Sequence, residues 1–145
     1  MIKYQLLPFE SIAEIVARNC DSHAMEASTE VERPLRMDWQ AYLEASKDGS
    51  CVAVLATDGD KVAGYSFYFI GADPHAKNYT DATNCAFFVF PEYRKGLFSV
   101  KFLKKCDALL REKGIDTVSY ILKSKYLGRL LKMAGYQPSH TVWSL

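Results

Sequence analysis

The run Phe87-Phe88-Val89-Phe90 is a strand pattern that Pro91 stops, and Glu92-Tyr93-Arg94-Lys95-Gly96 carries the chain straight into a long helical pattern ending at Gly114. A strand that hands over to a helix through a short basic loop limits what can sit at the junction. The first backbone N–H groups of a helix have no internal partner and point outward, and the helix dipole adds positive potential there. Arg94 and Lys95 strengthen that field, and Gly96 lets a ligand approach the backbone closely. The junction suits a pyrophosphate group; the same residues also suit an ordinary strand–turn–helix connection.

The rest of the chain supplies elements to surround it. Ile2 to Leu6 reads as a short strand. Pro8 stands where a first-turn proline is tolerated, and the stripe Phe9, Ile12, Val16 predicts a helix to about Cys20. Residues 21–36 are polar without a period and read as loop. Asp38 is placed to cap a helix carrying Trp39, Tyr42 and Leu43, which ends near Gly49. Cys51 to Ala56 and Val62 to Ile70 flank Thr57-Asp58-Gly59-Asp60, a tight-turn signal that predicts a hairpin. Residues 71–83 read as polar loop and 84–90 as strand. A helix from about Leu97 to Lys113 buries Phe98, Phe102, Leu103, Cys106, Leu109 and Leu110. Asp116 to Leu122 predicts a strand, and Ser124 caps a helix over Leu127, Leu130 and Leu131 that Gly135 closes. Tyr136 to Trp143 completes the pattern as a strand. The expected order is β-α-α-β-β-β-α-β-α-β, an α/β (α+β) fold with a mixed central sheet flanked by helices on both faces.

A chain of 145 residues that is 49% hydrophobic and 13% aromatic forms a single packed domain, 1–145. The longest apolar run, Cys85 to Phe90, is too short to span a bilayer. Met1-Ile2-Lys3-Tyr4 has no secretory apolar region, so a cytoplasmic location is expected. Cys20, Cys51, Cys85 and Cys106 are scattered, without metal-ligand spacing, and read as reduced thiols; no metal is expected. Residues 1–90 hold 7 Lys+Arg against 13 Asp+Glu, a net of −6, whereas residues 91–145 hold 11 against 4, a net of +7. A basic half for an anionic cofactor and an acidic half for a cationic substrate fit this split, as do solvated helix faces. The near-neutral total argues against strong nonspecific nucleic-acid binding.

The order of elements resembles the GCN5-related N-acetyltransferase fold. That family joins an apolar strand to a Pro-x-Tyr-Arg turn and a Gln/Arg-x-x-Gly-x-Gly/Ala loop that opens a helix. Here the turn is Pro91-Glu92-Tyr93-Arg94, and the loop runs Arg94-Lys95-Gly96-Leu97-Phe98-Ser99. Met133-Ala134-Gly135-Tyr136 is similar to the Gly-Phe that closes the family's later helix. Asp38-Trp39, Tyr42-Leu43 and Asp73-Pro74-His75 resemble short acetyltransferase-like proteins of bacteriophages, which would place the chain in a host cytoplasm. The sequence departs from the family at several positions. Leu97 and Ser99 stand where glycine and glycine or alanine are usual. Leu131 aligns with a tyrosine that often serves as general acid, and Asn84 aligns with a glutamate that some members use as base.

The resemblance implies acetyl-CoA as cofactor. Backbone groups of Phe88, Val89 and Phe90 would receive its pantetheine arm, and amides from Arg94 through Lys95, Gly96, Leu97 and Phe98 to Ser99 would hold the pyrophosphate. Ser124 takes the place of an asparagine that often touches the cofactor. Tyr126, one turn from the usual tyrosine on the same helix, is the candidate acid, and it also suits a half-buried place against the sheet. His75 and Glu26, in loops that this fold would bring to the substrate mouth, are candidates for base or amine recognition, or are simply solvated. The expected activity is N-acetylation of an amine-bearing acceptor, a small molecule or a protein lysine or N-terminus, the latter in a host protein if the chain is phage-encoded. The rival expectation is a catalytically silent protein of the same fold that binds a partner. Exposed sheet edges would permit a homodimer.

Overall fold

The computed structural model describes residues 1–19, 37–72, 74–122, 124–139, 143 and 145. Strand β1 (Ile2–Pro8) leads through a 3-10 turn at Phe9–Ser11 into helix α1, seen over 13–19. Helix α2 (Trp39–Lys47) precedes β2 (Cys51–Asp58), β3 (Lys61–Ala72) and β4 (Thr80–Val89). A second 3-10 turn, Pro91–Tyr93, links β4 to α3 (Phe98–Glu112), which is followed by β5 (Thr117–Ser119) and α4 (Lys125–Met133).

The sheet runs in the order β1-β2-β3-β4-β5, antiparallel except for the parallel β4–β5 pair. Alternation along each strand divides the core in two. Val52, Val54 and Ala56 of β2 join Phe87 and Val89 of β4 beneath Leu103, Cys106 and Leu110 of α3 and Leu127 and Leu130 of α4. On the other face Cys51, Ala53, Tyr65, Phe67 and Phe88 pack with Phe9, Ile12 and Val16, and the rings of Trp39 and Tyr42 close over Phe9. Helices thus cover both faces of a mixed sheet. Asp38 caps α2 as its sequence position implied, accepting a bond from the Ala41 N–H at 3.1 Å.

Two irregularities shape the region around the Pro91 junction. Between Phe67↔Ala86 and Tyr68↔Asn84 the β3–β4 register shifts, leaving Cys85 as the extra residue of a bulge in β4. Gly64 lies so close beneath β4 that a Cβ there would come within 2.7 Å of the Phe88 carbonyl oxygen and 3.0 Å of the Phe102 ring. Any side chain at 64 would push β4 outward.

The elements differ from the sequence pattern at their ends. The expected loop 71–83 is shorter, because β3 extends to Ala72 and β4 begins at Thr80. The polar residues at the start of β4 are held by pairing and by Asp116, whose Oδ2 accepts from the Thr80 N–H at 2.8 Å. The strand expected over 116–122 is confined to Thr117–Ser119, where alone it pairs with β4. Pro8 ends β1 rather than opening a helix. Of the expected last strand, residues 136–139 carry no strand and 140–142 fall outside the described residues, so the described sheet has five strands.

Candidate active site

The β4–β5 ladder closes only over Asp81↔Thr117, Ala82↔Val118 and Thr83↔Ser119. From Asn84 to Val89, six residues, β4 has no strand on the edge away from β3 among the described residues, so β4 and β5 part into a V that opens toward the start of α3. The Phe90 N–H donates to the Ala63 carbonyl of β3 at 2.9 Å. Successive residues turn their backbone groups to opposite edges, so Phe88 and Phe90 face β3, whereas Phe87 and Val89 face the open edge. Of the three residues assigned to the pantetheine arm by resemblance, the structure brings only Val89 to that edge by its backbone. Phe87 joins it, and strand alternation is the signal that identifies it.

Arg94 lies at the mouth of the V. Its Nε donates to the Val89 carbonyl at 2.8 Å, and its guanidinium carbon sits 5.4 Å from the Phe88 ring centroid and 5.5 Å from that of Tyr126. A cation on two aromatic faces is held in place rather than extended into solvent. Gly96 takes φ +71°, a conformation in which a side chain is strained, and the space beside its Cα is open. Leu97 stands at the cap position of α3 without a side-chain bond to the helix, and it is 59% exposed, so its side chain does not fill the cradle. The amides of Phe98, Ser99 and Val100 therefore open α3 without a side-chain cap, next to Lys95 and Arg94. Ser99 is buried, and its hydroxyl shares a 2.5 Å hydrogen bond with the Tyr126 hydroxyl. Tyr126 thus belongs to the mouth, beside the first turn of α3.

At the vertex of the V lies a chain of polar groups drawn from β3, β4 and the residue just past β5. The Asn84 side-chain amide donates to Ser66 Oγ at 2.9 Å and to the Ala86 carbonyl at 2.8 Å. Ser66 Oγ donates to Tyr68 Oη at 2.9 Å, and Tyr68 Oη meets Tyr120 Oη at 2.6 Å. Burial holds both tyrosines well above their ordinary range, so both keep their protons at neutral pH. The Cys106 thiol beside Tyr68 and Ser66 is pushed up to about 12 by burial and stays protonated. Burial also raises Tyr136, whose hydroxyl donates to Asp107 Oδ1 at 3.1 Å.

The remaining sequence candidates fall elsewhere. His75 lies beyond the hairpin end at Ala72↔Thr80, whereas Arg94 follows the opposite end of β4 at Val89. Nine strand steps of about 3.3 Å separate those ends, roughly 30 Å, so His75 stands far from the basic start of α3. Glu26 lies outside the described residues. Ser124 caps α4, its Oγ accepting from the Leu127 N–H at 3.1 Å. Ser124→Ala is expected to cost about 1 kcal/mol in chemical denaturation, with most of the loss restored by Ser124→Asn. Among the described residues no group of His, Cys, Asp and Glu could hold a metal ion, and no helix is long and apolar enough to cross a membrane.

A GCN5-related N-acetyltransferase from Ralstonia eutropha JMP134 superposes with a TM-score of 0.79 at 15% identity, covering 100% of this chain and 98% of its own. The chain has the GCN5-related N-acetyltransferase fold. A predicted acetyltransferase from Clostridium acetobutylicum, solved with acetyl-CoA, has a TM-score of 0.75 at 14% identity and covers 100% and 96% of the two chains. A ribosomal-protein-alanine N-acetyltransferase from Brucella melitensis biovar Abortus 2308 has a TM-score of 0.71 at 14% identity, covering 100% and 98%. No family model and no curated protein matches the sequence. At these identities the acetyltransferase likeness is one of fold.

Proposed function

We propose that the protein is an acyl-CoA-dependent N-acetyltransferase acting on an amine. The observation that carries this reading is the opened β4 edge, which runs into the uncapped, basic start of α3. Such an arrangement accepts a ligand that is an anion at one end and an extended amide-bearing arm along its length. Amides from Lys95 to Ser99 would hold the pyrophosphate, Arg94 and Lys95 would balance its charge, and Phe87 and Val89 would offer backbone groups to the arm. When bound, acetyl-CoA supplies an activated thioester carbonyl to the acceptor. The chain's own contribution is positioning and exclusion of water, which can supply much of a rate enhancement without a dedicated base.

The acceptor is an amine, on a small molecule or as the lysine or N-terminus of a protein; the ribosomal-protein enzyme of the same fold supports the protein arm of this reading. A cytoplasmic location, and a host protein as target if the chain is phage-encoded, follow from the same reading. The alternative, a silent protein that binds a partner, draws support from Leu131 and Asn84 standing where the fold often carries acid and base.

Calorimetric titration with acetyl-CoA, desulfo-CoA and ATP separates the two. Micromolar binding of acetyl-CoA and desulfo-CoA, with ATP much weaker, is expected. Folded protein that binds none of the three would leave the partner-binding reading standing.

A further inference from the structure

We propose that Arg94 is a latch across the arm site, one that opens only for a thioester donor carrying a diphosphate. The proposal rests on the acyl-CoA reading of the V. It makes Arg94 the residue that selects the donor: CoA thioesters are admitted, and thioesters of the bare pantetheine arm are turned away.

The latch is visible in where the guanidinium lies. Val89 faces the open edge of β4, and its carbonyl accepts from Arg94 Nε at 2.8 Å. The acceptor that an arm would use is therefore already taken by the chain itself. The guanidinium carbon stands 5.4 Å from the Phe88 ring centroid and 5.5 Å from that of Tyr126. Phe88 belongs to β4, and Tyr126 to α4, which follows β5. The cation thus spans the mouth between the two sides of the V, in the way of an approaching arm. Both of its seats are held. Phe88 is buried, with the rings of Tyr65 and Phe90 at centroid distances of 5.4 and 5.1 Å, and the Tyr126 hydroxyl is bonded to buried Ser99.

What opens the latch follows from the strengths of the competing bonds. A hydrogen bond with a charged partner is roughly twice as strong as one between neutral groups. An amide of the arm offers the Val89 carbonyl only a neutral donor, so the arm alone does not displace the guanidinium. A diphosphate offers the guanidinium charged oxygens in the geometry its planar fork matches. Held by the amides from Lys95 to Ser99, which follow Arg94 directly in the chain, it draws the arginine off Val89. The freed carbonyl then passes to the arm. Binding of the charged end and binding of the arm are coupled through one side chain.

Titrations with CoA and with pantetheine test this, the weaker ligand followed by its own NMR signals. Pantetheine is expected to bind wild type far more weakly than CoA does. It should bind Arg94→Ala about tenfold more tightly than wild type, the effect of losing one charge-assisted competitor for the carbonyl. CoA moves the other way in the same variant, weakened about tenfold, because its phosphates lose a charge. A side chain that only balanced phosphates or supported the fold would improve no ligand when removed. Lys95→Ala, which alters an exposed charge beside the same amides, should weaken CoA and leave pantetheine unchanged. Tyr126→Leu removes one seat and keeps the charge of Arg94, so both ligands should bind a few-fold more tightly. Folded Arg94→Ala, or Tyr126→Leu if that variant does not fold, binding pantetheine no more tightly than wild type would overturn the latch and leave the acyl-CoA reading intact. Wild-type protein that binds neither CoA nor pantetheine would overturn both.

Discussion

Arg94→Glu is expected to weaken acetyl-CoA binding about 100-fold, or about 2.7 kcal/mol. A unit charge at contact distance contributes between about 1 and 4 kcal/mol, depending on screening, and this substitution removes one positive charge and adds a negative one beside the diphosphate cradle. It also removes the donor to the Val89 carbonyl and the cation over Phe88 and Tyr126. Arg94→Ala separates the contributions, since it loses the contacts and one charge without adding repulsion; a loss of about tenfold is expected there. Calorimetry at low and high salt checks both. Unchanged affinity in folded Arg94→Glu would move the phosphate site away from the start of α3.

The largest effect on stability is expected from Phe102→Ala, a loss of about 3–5 kcal/mol and a fall in melting temperature of about 10 °C or more. Phe102 is fully buried, with the rings of Tyr4, Phe87 and Phe98 at centroid distances of 6.0, 5.2 and 5.9 Å. Its ring also lies beside Gly64, close enough that a Cβ there would come within 3.0 Å of it. Thermal unfolding followed by circular dichroism measures this. A loss under about 1 kcal/mol would mean that the helix α3 face collapses to fill the cavity.

The junction at Pro91, the α2 and α4 caps and the β2–β3 hairpin were legible because each is written in a few adjacent residues. Asp38 and Ser124 lie at the cap positions their spacing implied, and α3 begins within a residue of the expected Leu97. The first half of β4 was not legible. Thr80, Asp81 and Thr83 resemble a loop in composition, and only the strands and Asp116 beside them hold them extended. The shortness of β5 was equally hidden, since an apolar run says nothing about where its neighbour diverges. The chain from Asn84 to Tyr120 left no local trace, because its bonds join residues 18 and 52 positions apart.

The parted strands have a consequence for the life of the protein before any ligand reaches it. Phe87, Phe88 and Val89 form an apolar, aromatic stretch that has no strand beside its outer edge among the described residues, the kind of segment onto which a stray strand from another molecule can zip. Arg94 bonds the outward carbonyl of that stretch and sets a positive charge on the approach to it. Charged residues next to apolar strands act as gatekeepers against aggregation. An arginine at this place is therefore expected also to work against edge-to-edge association of freshly made chains, which light scattering of Arg94→Ala would register as faster aggregation.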